Sequence, residues 1–378
     1  MLFLLGCATA PFGRETVDGA DVILSAEVGL GTWADAEGAD VLLGATPVAG
    51  CIEDCPGTQR VTLDANAHSG GLGSVCDYPD APQPRFIGDL TGDGQPEFAS
   101  GQTEENDARM FGGDTCSPAA IAWLDVGSPL VALGSIAAEN VVFGAPDLGA
   151  VYLFPGDRRG GTTLGEGAAA LTVATGDTLL GAAGATADLD GDGLDDLVVT
   201  GSRVWVFTNA GGFERATDAA DAAGPGWSAE DGHGLDVADI DGDGHLDVLT
   251  GDTTANVVSV LHGPVTGALS AWATLTGSGA FGGDVAAGGD VNGDGSPDVL
   301  IGTPDANDGR GGAWLVLGPV GSGAYVVSGG DGEFVGLEDG GAVGATVLMP
   351  GDGDGDGLAD LALVAPGTGG VYVFRGRE

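Results

Sequence analysis

Lysine is missing from this chain altogether. All 11 basic residues are Arg, they face 56 acidic ones, and the formal net charge is −45. A surface of that sign repels DNA, RNA and anionic membranes, so no nucleic-acid partner is expected. Long helices are also excluded, because few windows of ten residues are free of Gly or Pro. No run approaches the roughly 20 apolar residues that a membrane-crossing helix needs. Catalytic groups are sparse. There is no Lys to act as a base, and the four histidines (His68, His233, His245, His262) are scattered. Neither G-x-S-x-G nor H-E-x-x-H occurs, so no enzyme is expected.

What the chain has instead is glycine, 74 of 378 residues, without the three-residue period of collagen. Hydrophobic residues make up 43%, enough for a packed core. They fall in short runs between Gly- and Asp-rich turns, the pattern of an all-β protein.

Those turns repeat. "DIDGDGHLDVLTG" starts at Asp239, "DLDGDGLDDLVVTG" at Asp188, "DVNGDGSPDVLIG" at Asp290 and "DGDGDGLADLALVAPG" at Asp352. A weaker copy, "DLTGDGQPEFASG", starts at Asp89. The strand that follows the loop recurs without its acids after Asp40 ("DVLLGATP") and Asn140 ("NVVFGAP"). The period is roughly 50 to 60 residues, which marks an array of like units. Seven units result, five with an acidic loop.

A second marker is a short strand with an aromatic or β-branched second slot. It appears as "VTLD" at Val61, "AWLD" at Ala122, "VYLF" at Val151, "VWVF" at Val204, "VVSV" at Val257, "AWLV" at Ala313 and "VYVF" at Val371. Continuous apolar strands need cover on both faces, which stacked blades supply. The expected fold is all-β: a seven-bladed β-propeller of four-stranded antiparallel blades filling 18–378 as one domain. The chain ends on a third strand and begins with a spare one, "ADVILSAE" at Ala20–Glu27. That strand is expected to complete the last blade and remove a free edge. Crowding of the markers at Ala122 and Val151 leaves six blades as the alternative.

In the Asp239 loop, positions one, three, five and nine are Asp239, Asp241, Asp243 and Asp247. Alternate side chains of a tight turn converge, and Gly242 and Gly244 allow the backbone to make it. With the His245 carbonyl at position seven, the donors are all hard oxygens, in the number that Ca2+ takes. Transition metals favour His or Cys, which these positions lack. An EF-hand would need Glu at position twelve. Val199, Thr250, Ile301 and Leu363 stand there instead.

The loop, the apolar strand ending in Gly, "VYVF", "GAP" at Gly144, and "FGG" at Phe111 and Phe281 together resemble the FG-GAP repeat of integrin α-chain propellers and of bacterial exported proteins. The resemblance implies four calcium sites. Their ligands would be Asp188, Asp190, Asp192 and Asp196; Asp239, Asp241, Asp243 and Asp247; Asp290, Asn292, Asp294 and Asp298; and Asp352, Asp354, Asp356 and Asp360. The carbonyls of Leu194, His245, Ser296 and Leu358 would complete them. A weaker fifth site would use Asp89, Asp93 and Glu97. The resemblance also implies an adhesion-like module that binds a protein or glycan. Alternatives are a scaffold in an envelope assembly, or a carbohydrate-active or lipid-cleaving enzyme, since some such enzymes carry related propellers.

Residues 1–17 read as a signal and short tail. "LLGC", ending at Cys7, resembles the lipidation box of a bacterial lipoprotein, although only six residues precede Cys7 and none is basic. A start assigned too far downstream would account for that. Lipidated Cys7 would anchor an exported protein to the bacterial cell envelope. Cys51, Cys55, Cys76 and Cys116 remain, and in an exported chain they imply two disulfides of open connectivity. A zinc site is the rival reading of those four.

Overall fold

The computed structural model describes residues 180–208, 234–265, 269–328 and 331–378 without a break. Before and between these it describes 14–16, 22–25, 28–37, 40–45, 58–63, 72–78, 83–88, 90, 97–101, 107–111, 122–125, 130–136, 140–155, 160–163, 169–172 and 222–226. Cys7, Cys51, Cys55 and Cys116 lie outside these residues, as do Asp89 and Asp93, and of Cys76 only the backbone is described.

The protein is all-β. Among the described residues, helix is limited to a 3-10 turn at Pro146–Leu148 and one short turn at Ala306–Gly309. The described strands form seven sheets, each antiparallel in its four-stranded core. The first sheet runs Val28–Glu37, Asp40–Ala45, Thr58–Leu63, Leu72–Tyr78, and the second Gln83–Gly88, Glu97–Gly101, Asp107–Phe111, Ala122–Asp125. The third is Val131–Ile136, Asn140–Ala145, Ala150–Pro155, Ala169–Thr172, and the fourth Gly184–Ala187, Asp196–Thr200, Arg203–Phe207, Ala222–Gly226. The fifth is Leu235–Ala238, Asp247–Asp252, Val257–Leu261, Ala271–Thr276, and the sixth Val285–Ala287, Val299–Gly302, Gly312–Val316, Gly332–Val335. The seventh joins Thr346–Gly351, Asp360–Ala365 and Gly370–Phe374 to Val22–Ser25, with Val22 opposite Val373 and Ser25 opposite Gly370.

The second strands are rich in apolar residues because both of their faces are covered. Asp196–Thr200 and Asp360–Ala365 are buried at every residue. The cover comes from the neighbouring sheet. Val198, Val204 and Val206 of the fourth sheet share a core with Val248 and Leu261 of the fifth. Leu249, Val258 and Val260 of the fifth pack with Val299, Ile301 and Val316 of the sixth. Between the sixth and seventh, Phe334 meets Phe374 at 4.6 Å and 56° within a core that includes Leu300 and Leu361. Each such buried side chain contributes about 1.5–3 kcal/mol relative to exposure.

The first strands lie side by side. Val131–Ile136 neighbours Gln83–Gly88 and Gly184–Ala187, and Leu235–Ala238 neighbours Gly184–Ala187 and Val285–Ala287. Thr346–Gly351 neighbours Val285–Ala287 and Val28–Glu37, which in turn neighbours Gln83–Gly88. Two carboxylates tie these strands together. Asp236 Oδ2 accepts from Ala287 N–H (2.8 Å), and Asp284 Oδ2 from Val347 N–H (2.9 Å). Burial raises Asp284 well above the ordinary carboxylate range, Asp236 adds to the rise, and Arg85 opposes it.

Sheets also meet through glycine. A Cβ on Gly251, at the end of a second strand, would collide with the backbone carbonyl of Gly282. Gly282 itself has φ +85, a conformation that favours glycine. The same close approach joins Gly144 to Gly181 and Gly302 to Gly344. "FGG" at Phe281 thus marks the entry to a sheet, with Phe281 fully buried. The copy at Phe111 does not, since Phe111 ends a third strand.

Two sequence readings need correction. "AWLD" at Ala122 is the fourth strand of the second sheet, not the third. The true third strand, Asp107–Phe111, places Arg109 in the slot opposite position twelve, where Trp205, Trp314 and Tyr372 stand elsewhere. The aromatic marker is therefore missing there, and with it goes the crowding between Ala122 and Val151. The second correction is that three sheets carry a fifth, parallel outer strand. Gly160–Thr163 adds to the second sheet, Gly323–Val326 to the fifth and Arg14–Thr16 to the sixth.

Candidate metal centres

The acidic loops join first to second strands in the fourth to seventh sheets, and all four fold identically. At position one, Asp188, Asp239, Asp290 and Asp352 each draw the loop around their own carboxylate. Oδ1 accepts the N–H of position four at 2.6–2.8 Å and that of position five at 3.0–3.2 Å. Oδ2 accepts the N–H of position six at 2.8–2.9 Å. Positions four and six are glycines with φ between +74 and +93, which this winding demands.

Positions three and five use only one oxygen each on the backbone. Oδ1 of Asp190, Asp241, Asn292 and Asp354 accepts the N–H of position five at 3.1–3.2 Å. Oδ1 of Asp192, Asp243, Asp294 and Asp356 accepts the N–H of position seven at 2.8–2.9 Å. Hence Leu194, His245, Ser296 and Leu358 donate their N–H groups inward. The second oxygen at positions three and five is left out of this winding. In the Asp290 loop it receives Asn292 Nδ2–H at Asp294 Oδ2 (2.9 Å), which lowers the Asp294 carboxyl below its ordinary value.

Position nine has a second task that sequence did not reveal. Asp196, Asp247, Asp298 and Asp360 are buried. One oxygen of each accepts the N–H of position two: Leu189 (2.9 Å), Ile240 (3.1 Å), Val291 (2.8 Å) and Gly353 (3.0 Å). In three of them the other oxygen accepts the N–H just beyond the third strand, from Gly263 (2.8 Å), Gly318 (2.8 Å) or Gly376 (3.1 Å). Burial pushes Asp298 and Asp360 up to about 6 despite these bonds, with Asp290 and Asp294, or Asp354 and Asp356, adding to the rise. Asp247 is raised for the same reason. In the second sheet Glu97 takes this place, fully buried and accepting Leu90 N–H at 2.7 Å.

Carboxylate oxygens converge in three of the loops. Asp188, Asp190 and Asp196 bring one oxygen each within 4.8 Å of one another, and so do Asp239, Asp241 and Asp247, and Asp352, Asp354 and Asp356. Two carboxylate charges about 5 Å apart repel by roughly 3 kcal/mol at an effective dielectric of about 20. The donors are hard oxygens on a preformed loop, and they fit a hard divalent cation such as Ca2+.

The residue after the third strand differs among the four sheets, and in two of them it reaches the acidic loop. In the fifth sheet it is His262, whose Nε2 lies 3.0 Å from Asp241 Oδ2 and 3.3 Å from Asp243 Oδ2. Sequence had found no His at a ligand position, because this one arrives from 21 residues away. In the seventh sheet it is Arg375, with Nε 3.3 Å from Asp354 Oδ2. The fourth and sixth have Thr208 and Leu317.

Residues 188–250 and 239–301 match the family profile of the FG-GAP-like repeat. Each match begins at the first carboxylate of one loop and ends in the second strand after the next. Residues 188–301 therefore carry FG-GAP-like repeats, and their period is one sheet plus its loop.

Proposed function

We propose that the chain is a seven-bladed, calcium-stabilised β-propeller that acts outside the cytoplasm as a binding module for a protein or glycan. The order of the first strands carries the ring reading: each neighbours the next, and Thr346–Gly351 neighbours Val28–Glu37. The outer strands support closure. Gly160–Thr163 and Gly323–Val326 each leave the third-to-fourth strand connection of one sheet to pair with the preceding sheet. Arg14–Thr16 does the same just ahead of Val22–Ser25, as if the two termini were one such connection.

Calcium is supported by the shared winding of the four loops and their hard-oxygen donors. In a ring, every first-to-second strand connection emerges on one rim, so the cations would stiffen that rim. The opposite rim is then free for a ligand. An anchor at Cys7 would hold the module at the envelope of a bacterial cell. Isothermal titration should give four calcium equivalents per chain, and none would reject the calcium reading. A glycan array together with capture from envelope extracts tests the binding reading. Specific retention that is lost on chelation supports it, whereas no retention by calcium-loaded protein turns the reading to an architectural scaffold.

A further inference from the structure

We infer that His262 turns the Asp239 loop into a mixed nitrogen–oxygen site for a divalent transition ion of the Zn2+ class. The imidazole Nε2 faces Asp241 Oδ2 and Asp243 Oδ2 at 3.0 and 3.3 Å. One ligating atom from each of the three residues lies within 4.8 Å of the others. The two oxygens facing the ring are the ones the loop winding does not use, because Asp243 N–H and His245 N–H bind the Oδ1 atoms.

The histidine is set in place from outside the loop. Leu261 pairs with Val248, Gly263 N–H is held by Asp247 Oδ1 at 2.8 Å, and Trp272 packs on the ring with centroids 4.8 Å apart. The fourth strand, the third strand and the position-nine carboxylate together fix where Nε2 points. One imidazole nitrogen with two carboxylate oxygens is a three-ligand set of the kind Zn2+ takes, leaving one position for water. Calcium draws its ligands from oxygen and gains little from the imidazole. None of the other three loops has a nitrogen ligand at this place, where Thr208, Leu317 and Arg375 stand.

The inference deepens the proposal that these loops hold cations, and its test separates the two. Full-length protein is equilibrated with Ca2+ and one equivalent of Co2+, a visible-absorbing stand-in for Zn2+, and the bound metals are counted. Wild type is expected to hold one Co2+ and one Ca2+ fewer than His262→Gln. The variant should bind Co2+ at least tenfold more weakly. Equal Co2+ affinity and spectra in the two proteins would overturn the inference, even with calcium in all four loops. His-dependent Co2+ binding with no calcium anywhere would instead reject the calcium reading and leave this one standing. A second measurement does not depend on the variant folding. The chain has four histidines, so in selectively 15N-histidine-labelled wild type one equivalent of Zn2+ should move a single Nε2 resonance. No such movement would overturn the inference.

Discussion

The third and fifth sheets close the same first-to-second strand hairpin in different ways. In the third, Ile136 pairs with Asn140 and only residues 137–139 join the strands. In the fifth, Ala238 pairs with Asp247 and the acidic segment 239–246 lies between. Both hairpins lead into buried second strands. A blade therefore needs no acidic loop in order to form. The loop is an addition that crowds carboxylates together, and a bound cation would relieve that crowding. The two kinds of sheet should part company when calcium is withdrawn.

The largest effect follows directly. Chelation of the full chain is expected to lower the melting temperature by about 10 °C or more, from the summed loss of ligand linkage at four sites. Hydrogen exchange should accelerate over 188–196, 239–247, 290–298 and 352–360 and remain unchanged over 140–155. Uniform acceleration, or an unchanged melting temperature, would break the comparison.

Next comes a contact that both kinds of sheet share. Gly144 and Gly251 abut Gly181 and Gly282 in the same way, one from a sheet without an acidic loop and one from a sheet with it. Gly144→Ala and Gly251→Ala should each destabilise by about 3 kcal/mol through backbone displacement. Denaturant titration should find the same loss with and without calcium. A calcium-dependent loss for Gly251→Ala alone would mean that the loop, not the sheet contact, holds the two sheets together.

The split between what sequence revealed and what it hid follows the same division. Acids at positions one, three and five and glycines at four and six are local, so the loops were readable from their alternation. Second strands were readable because their burial on both faces makes them apolar. Arg109 removed the aromatic marker and hid a third strand, which made Trp123 look like part of one. The outer strands "GGTT", "GAYV" and "RET" are short and one-sided, and no periodicity sets them apart from loop. Asp236 and Asp284 act across sheets and His262 reaches its loop from another strand of its own sheet, so their partners depend on packing that spacing does not encode. Position nine was read as a ligand from the loop alone, but its bond to the chain beyond the third strand needed the sheet.

A smaller effect concerns protons. Asp298 and Asp360 are raised to about 6 in the folded chain by burial, against about 3.9 for a free Asp. A raised carboxylate favours folding when protonated. That contribution is complete below the unfolded pKa and is lost as pH rises through about 6. Metal-free protein should therefore gain stability, on the order of a few kcal/mol, as pH falls from 7 to 5. Calcium-loaded protein should not, because the cation favours the ionised form. Thermal melts at both pH values, with and without chelator, check this. A loss of stability in the metal-free protein over that interval would show that these carboxylates are not held in the folded state as described.

The smallest effect separates one acidic loop from another. Arg375 Nε lies 3.3 Å from Asp354 Oδ2, the oxygen that the winding of the Asp352 loop does not use. The guanidinium is half-buried, so its charge is only partly screened. It would both repel an incoming divalent ion and cover an oxygen that such an ion would need. At the same place the Asp188 loop has the uncharged Thr208. Calcium should then fill the Asp188 loop before the Asp352 loop. Arg375→Gln should raise calcium affinity at the Asp352 loop about three- to tenfold, equivalent to roughly 0.7–1.4 kcal/mol. Calcium titrations followed through the backbone amides of Gly193 and Gly357 would read the two loops separately. If the variant leaves the filling order unchanged, Arg375 moves aside at no cost, and the acidic loops differ in what overhangs them without differing in how they bind.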